Sequence, residues 1–165
     1  MQDRRNTLRP LTTALALALL WIATQALHAS NSSSSKADCG SAKSTPVASF
    51  PFNPFLLSEM SPPVIEPQGS WRAQLDTGKL GPGVAYLIGA RRPGLMPTQG
   101  GMLLVELSEA RILQAVRFAP GQDVSFRLPI PDEERLCTQR IRVQAVIVTP
   151  GGTFLSNAFD LTLGR

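Results

Sequence analysis

From Gln68 to the C-terminus, apolar and polar residues alternate in short runs broken by glycine and proline. A period of two places one set of side chains on each face of a strand, so these runs predict half-buried β-strands. In Gln68–Leu75, Trp71, Ala73 and Leu75 share one face while Ser70, Arg72 and Gln74 share the other. Asp76-Thr77-Gly78 is a turn. Gly83–Gly89 is apolar throughout, as a central strand requires. Gly94–Gly101 is expected to be a loop, followed by short apolar runs at Met102–Leu107 and Arg111–Phe118. Ser108–Arg111 lacks strand formers, which leaves a helix over 103–115 as the alternative. Val124, Phe126, Leu128 and Ile130 alternate after the Pro120–Asp123 turn. Ile141, Val143, Ala145 and Ile147 do the same, and Leu155–Leu163 follows a Pro150-Gly151-Gly152 hairpin connection. Seven strands in about 100 residues predict an all-β fold, a single antiparallel sandwich of the immunoglobulin or fibronectin-III type.

The N-terminal half has no such alternation. Residues 1–29 combine Arg4, Arg5 and Arg9 with the apolar run Leu11–Ala23 and small residues at Ala26 and Ala29. That is the pattern of a secretory signal peptide. Cleavage after Ala26, with Thr24 at −3, fits small-residue rules better than cleavage after Ala29, with Leu27 at −3. The rival reading is an uncleaved anchor, but the run falls short of the ~20 residues of a membrane span. The expected location is therefore outside the cell or at its surface, with the periplasm as a variant. Residues 30–66 divide into a Ser-rich spacer (Ser30–Ser44) and an extended segment, Pro46–Pro67. That segment holds Phe50, Phe52 and Phe55, and its prolines argue against a central strand. Asn31-Ser32-Ser33 fits a glycosylation acceptor, relevant only in a eukaryotic secretory route. The folded domain is expected over 67–165.

Composition narrows the function. The formal charge is +4, of which the signal segment supplies half. Near +2 is too weak and dispersed for a nucleic-acid footprint. Arg91-Arg92 and Arg140/Arg142 are the densest basic spots and read as solvated strand or loop charges. The single histidine, His28, lies in the signal segment. No His-based triad or metal site is then available, and no cofactor is implied. Glu106 and Glu109 are candidates for a glycosidase pair by residue type alone. Asp132-Glu133-Glu134 lacks the alternate spacing of a calcium loop. A Ser-Lys pair would need Lys36, Lys43 or Lys79. The expectation is a non-catalytic protein whose partner is an extracellular protein or a glycan.

Two features remain. Cys39 and Cys137 are the only cysteines. In an exported chain they are expected to pair within the molecule, closing a loop worth about 4–5 kcal/mol in the chain-entropy model. Free thiols or an intermolecular bond are the rivals. For sugar binding, exposed rings are needed. Trp71, Tyr86, Phe126 and Phe159 fall in phase with apolar neighbours, which leaves Phe118 and Phe154, at strand ends, as ligand-binding candidates.

The C-terminal third also resembles a bacterial family. Phe126–Asp132, Leu136, Val143–Val148 (VQAVIV), Leu155-Ser156-Asn157-Ala158 and the terminal Leu163-Gly164 follow its motif order. The family comprises short exported β-sandwich proteins and C-terminal modules of planctomycetes and myxobacteria. Gly83–Gly89 and Cys39-Gly40 resemble its apolar strand and its early cysteine element. Departures are Cys137, where glycine is usual, and the charged Glu133-Glu134-Arg135. The resemblance implies export and a sandwich, and it carries over no catalytic residue.

Overall fold

A computed structural model describes residues 39–47, 51–78 and 80–165. The signal segment, most of the Ser-rich spacer, Phe50 and Lys79 lie outside the described residues. The described chain is all-β, with ten strands: β1 (Lys43–Val47), β2 (Leu57–Ser61), β3 (Ser70–Leu75), β4 (Gly83–Ala90), β5 (Pro93–Thr98), β6 (Gly101–Val105), β7 (Arg111–Phe118), β8 (Val124–Pro129), β9 (Arg140–Thr149) and β10 (Gly152–Thr162). A 3₁₀ turn at Glu134–Leu136 connects β8 to β9. One sheet has five strands in the order β1-β10-β9-β4-β7, a second has the order β2-β3-β8, and β5-β6 forms a separate hairpin. All strand pairings are antiparallel.

The two larger sheets form a sandwich because each offers one apolar face. Trp71, Ala73 and Leu75 of β3 and Val124 and Phe126 of β8 meet Ala85 and Leu87 of β4, Val143, Ala145 and Ile147 of β9, and Phe159 and Leu161 of β10. Apart from Ala85 and Leu87, whose strand is apolar on both faces, these are residues the alternation placed on one face. Trp71 and Phe126 are the largest fully buried side chains. Trp71 packs edge-on against Phe159 at 5.9 Å between ring centroids. Its indole N–H donates to Glu59 Oε1 at 3.1 Å, so the buried ring keeps no orphan donor.

All seven predicted strands are present, and the helical alternative over 103–115 is excluded. That stretch is β6, a turn and the start of β7. The sequence reading missed β1, β2 and β5. The fold therefore reaches back to Cys39 instead of starting near Pro67, and residues 94–101 are mostly strand instead of loop. The physical reason is shared by all three. β1 and β2 each pair on one side only, at sheet edges, and β5 pairs only with β6. Their residues are largely exposed, so no alternation marks them. Edges also tolerate proline. Pro97 lies opposite Met102, whose N–H and C=O are both bonded away from β5. It costs the ladder no bond.

Candidate functional site

The five-stranded sheet has a second, outer face, and that face carries the site. The register of β9 and β10 shifts between Leu155 and Ala158, so Ser156 and Asn157 form a bulge. Both are buried. Ser156 Oγ accepts from Ala145 N–H at 3.0 Å and donates to Asn157 C=O. The Asn157 amide bonds the backbone of Leu57 from both ends, accepting from its N–H at 2.6 Å and donating to its C=O at 3.1 Å. A side-chain amide thus stands in for a neighbouring peptide and anchors the start of β2.

Two further amides do the same for β6. Asn53 accepts from Met102 N–H at 2.6 Å and donates to Met102 C=O at 2.7 Å and to Ser156 C=O at 2.8 Å. Gln144, fully buried on β9, accepts from Leu104 N–H at 2.9 Å. Its NH₂ donates to Met102 C=O at 2.9 Å and Ser156 C=O at 2.8 Å. Arg142 Nη1 reaches Leu104 C=O at 3.4 Å. The edge of β6 that β5 leaves unpaired is therefore held by Gln144 and Arg142 rising from the sheet and by Asn53 from the segment before β2. Buried polar groups are stable only when satisfied in this way. Gln144 thus helps mount the β5-β6 hairpin on the sheet, while Asn157 anchors β2.

Mounting the hairpin there creates a cleft of about 590 Å³. Its floor comes from Ile88, Val146 and Leu155, with Leu103 of the hairpin packed against them. Leu107, Ala110, Arg111 and Ile112 bound one side, and Thr98, Gln99, Gly100 and Thr153 complete it. Among the described residues, Arg111 is the one charged side chain in the lining. Leu107 and Ile112 are 60% and 65% exposed although both are aliphatic. An apolar cleft with a few polar groups suits binding of an apolar group.

The residues named from sequence are distributed otherwise. Cys39 and Cys137 are joined in a disulfide, with Cα atoms 5.0 Å apart. The bond ties the start of the described chain to the turn before β9 and fits an oxidising compartment. Phe118 and Phe154 offer no binding platform. Phe118 is 5% exposed, turned into the sandwich where its ring lies over Gly83. Phe154 is half-buried and meets Phe55 edge-on at 5.4 Å. Strand ends here close the core instead of opening it. The exposed aromatic ring among the described residues is Phe52.

The acidic candidates are also engaged elsewhere. Glu109 is ion-paired with Arg92, whose hydrogen bond holds the carboxyl below the ordinary carboxylate range. Glu106 accepts from Ser108 Oγ at 3.1 Å. Asp132 pairs with Arg165 and Glu133 with Arg135. Among the described residues, no three Cys, Asp, Glu or His side chains converge on a metal position. No helix among them is long and apolar enough to cross a membrane.

Sequence reasoning missed Asn53, Gln144 and the cleft rim. One signal was readable: a glutamine and a serine-asparagine pair inside otherwise apolar strands must find buried partners. No family model, curated protein or solved structure matches this chain.

Proposed function

We propose that this chain is an exported, non-catalytic β-sandwich module that binds a partner protein through the cleft beside the β5-β6 hairpin. The observation that carries the reading is the aliphatic cleft itself, with Leu107 and Ile112 exposed at its rim. A soluble domain seldom leaves such side chains together around a concavity unless something covers them. The position of β7 supports the mode of binding. It is the outer strand of its sheet and pairs only with β4, yet it supplies Arg111 and Ile112 to the cleft. A partner segment that adds to β7 as a strand would direct alternate side chains into the apolar lining.

The strand order supports the finer fold assignment. β2-β3-β8 facing β10-β9-β4-β7 is compatible with a fibronectin-III-like sandwich to which β1 is added at one edge and β5-β6 between the third and fourth strands. Export is the reading of the N-terminal segment, and the disulfide is compatible with it. The likeness to short exported bacterial sandwich modules stands as part of the same proposal.

Selection of peptides from a displayed library on the mature chain tests the function. The expected peptides carry aliphatic or aromatic residues at alternate positions, and Ile112→Asp abolishes their binding. A small carbohydrate-binding module is the second reading, for which the exposed Phe52 is the available ring. Glycan-array binding lost on Phe52→Ala, without peptide selection, would replace the first reading by the second.

A further inference from the structure

The outer face of the five-stranded sheet bears a second, differently built depression. Its geometry follows from register. Lys43 of β1 lies opposite Thr162 of β10, which lies opposite Arg140 of β9. In the next row on the same face, Thr45 lies opposite Asp160, and Asp160 opposite Arg142. Leu161 and Ile141, one residue off in phase, point to the sandwich core instead. Arg91, which follows β4, and Pro93 of β5 complete the wall of a pocket of about 430 Å³.

The charges in this pocket do not cancel. Asp160 is occupied by Arg142, with two hydrogen bonds of 2.6 Å in a fork geometry. Arg142 is also largely shielded, its side chain 16% exposed. Lys43, Arg91 and Arg140 are exposed and form no ion pair among the described residues, although Arg91 also lends its charge to Glu109. Lys43 and Arg140 stand two strand spacings apart, about 10 Å, with the Thr162 hydroxyl between them. Three like charges held around one concavity are mutually unfavourable until an anion enters.

We infer that this pocket binds an acidic polysaccharide, its sulfate or carboxylate groups held by Lys43, Arg140 and Arg91. The spread of the cations asks for more than one negative group on the ligand. The hydroxyls of Thr45 and Thr162 have no side-chain hydrogen bond among the described residues and face the same opening, where sugar hydroxyls would meet them. The pocket opens on the outer face of β1, β10 and β9, which presents side chains, while the ladder groups lie in the plane of the sheet. A polysaccharide is recognised through such side chains, whereas an acidic peptide pairing through its main chain would go to the free edge of β1 instead of into the pocket. The site shares no lining residue with the apolar cleft and does not depend on it.

The test is binding of the mature chain to immobilised dextran sulfate, polygalacturonate, neutral dextran and poly-glutamate, with salt varied. The expected result is salt-sensitive binding to one or both acidic polysaccharides and none to dextran. The two acidic polymers separate sulfate from carboxylate recognition. Lys43→Gln combined with Arg140→Gln should weaken binding about tenfold or more, as loss of two charge-assisted contacts predicts. Arg117→Gln, on exposed β7, should leave it unchanged, and circular dichroism should show both variants folded. Preference for poly-glutamate would overturn the polysaccharide assignment. Failure of every acidic polymer at low salt, or equal binding by the double variant, would overturn the site.

Discussion

Replacing Gln144 by leucine and Asn53 by alanine should destabilise the protein by more than the sum of the two single changes. Leucine at 144 fills similar space but leaves Leu104 N–H without the acceptor seen at 2.9 Å. Met102 and Ser156 carbonyls lose one donor each and keep Asn53. One orphaned buried donor costs about 1–3 kcal/mol. Alanine at 53 likewise orphans Met102 N–H, while both carbonyls keep Gln144. In the double variant the same two carbonyls lose both amide donors, which adds a further ~1–3 kcal/mol of coupling. Urea unfolding of the four proteins gives the cycle directly. Coupling within about 0.5 kcal/mol of zero would refute the claim that these amides share the work of holding β6.

Four other outcomes follow from the structure. Replacing both Cys39 and Cys137 by serine should lower stability by up to about 4–5 kcal/mol, since the bond spans 98 residues; an unchanged urea midpoint would contradict it. Phe126→Ala empties a position that is 1% exposed, and a loss of about 3–5 kcal/mol is expected on unfolding. Gly164→Ala should be destabilising because its Cβ would collide with the backbone of Gly40 and Ser41, which calorimetry would show as a lowered Tm. Ile112→Asp should keep the wild-type Tm, since its side chain is 65% exposed, while losing captured peptides.

The sequence carried the sandwich core because burial on one face forces alternation. Ile141, Val143, Ala145 and Ile147 are legible as one face from their spacing alone, and they form it. β1, β2 and β5 carried no such mark because edge strands bury little and accept Pro46, Pro93 and Pro97. The cleft was invisible for a different reason. It depends on where a hairpin sits, and that is decided by two long-range amides, Asn53 and Gln144, separated by up to 103 residues from their partners. Phe118 and Phe154 misled because a ring at a strand end is exposed in an isolated strand but caps the core of a closed sandwich. Arg140 was legible as a charge, whereas its grouping with Lys43 required the register of β1 on β10.

Hydrogen exchange across β7, with and without a selected apolar peptide, tests the binding account most directly. Added pairing at the free edge predicts slowed exchange in Arg111–Phe118, with little change in β1 or β8. Unchanged β7 amides under saturating peptide, or protection confined to the three-stranded sheet, would contradict it.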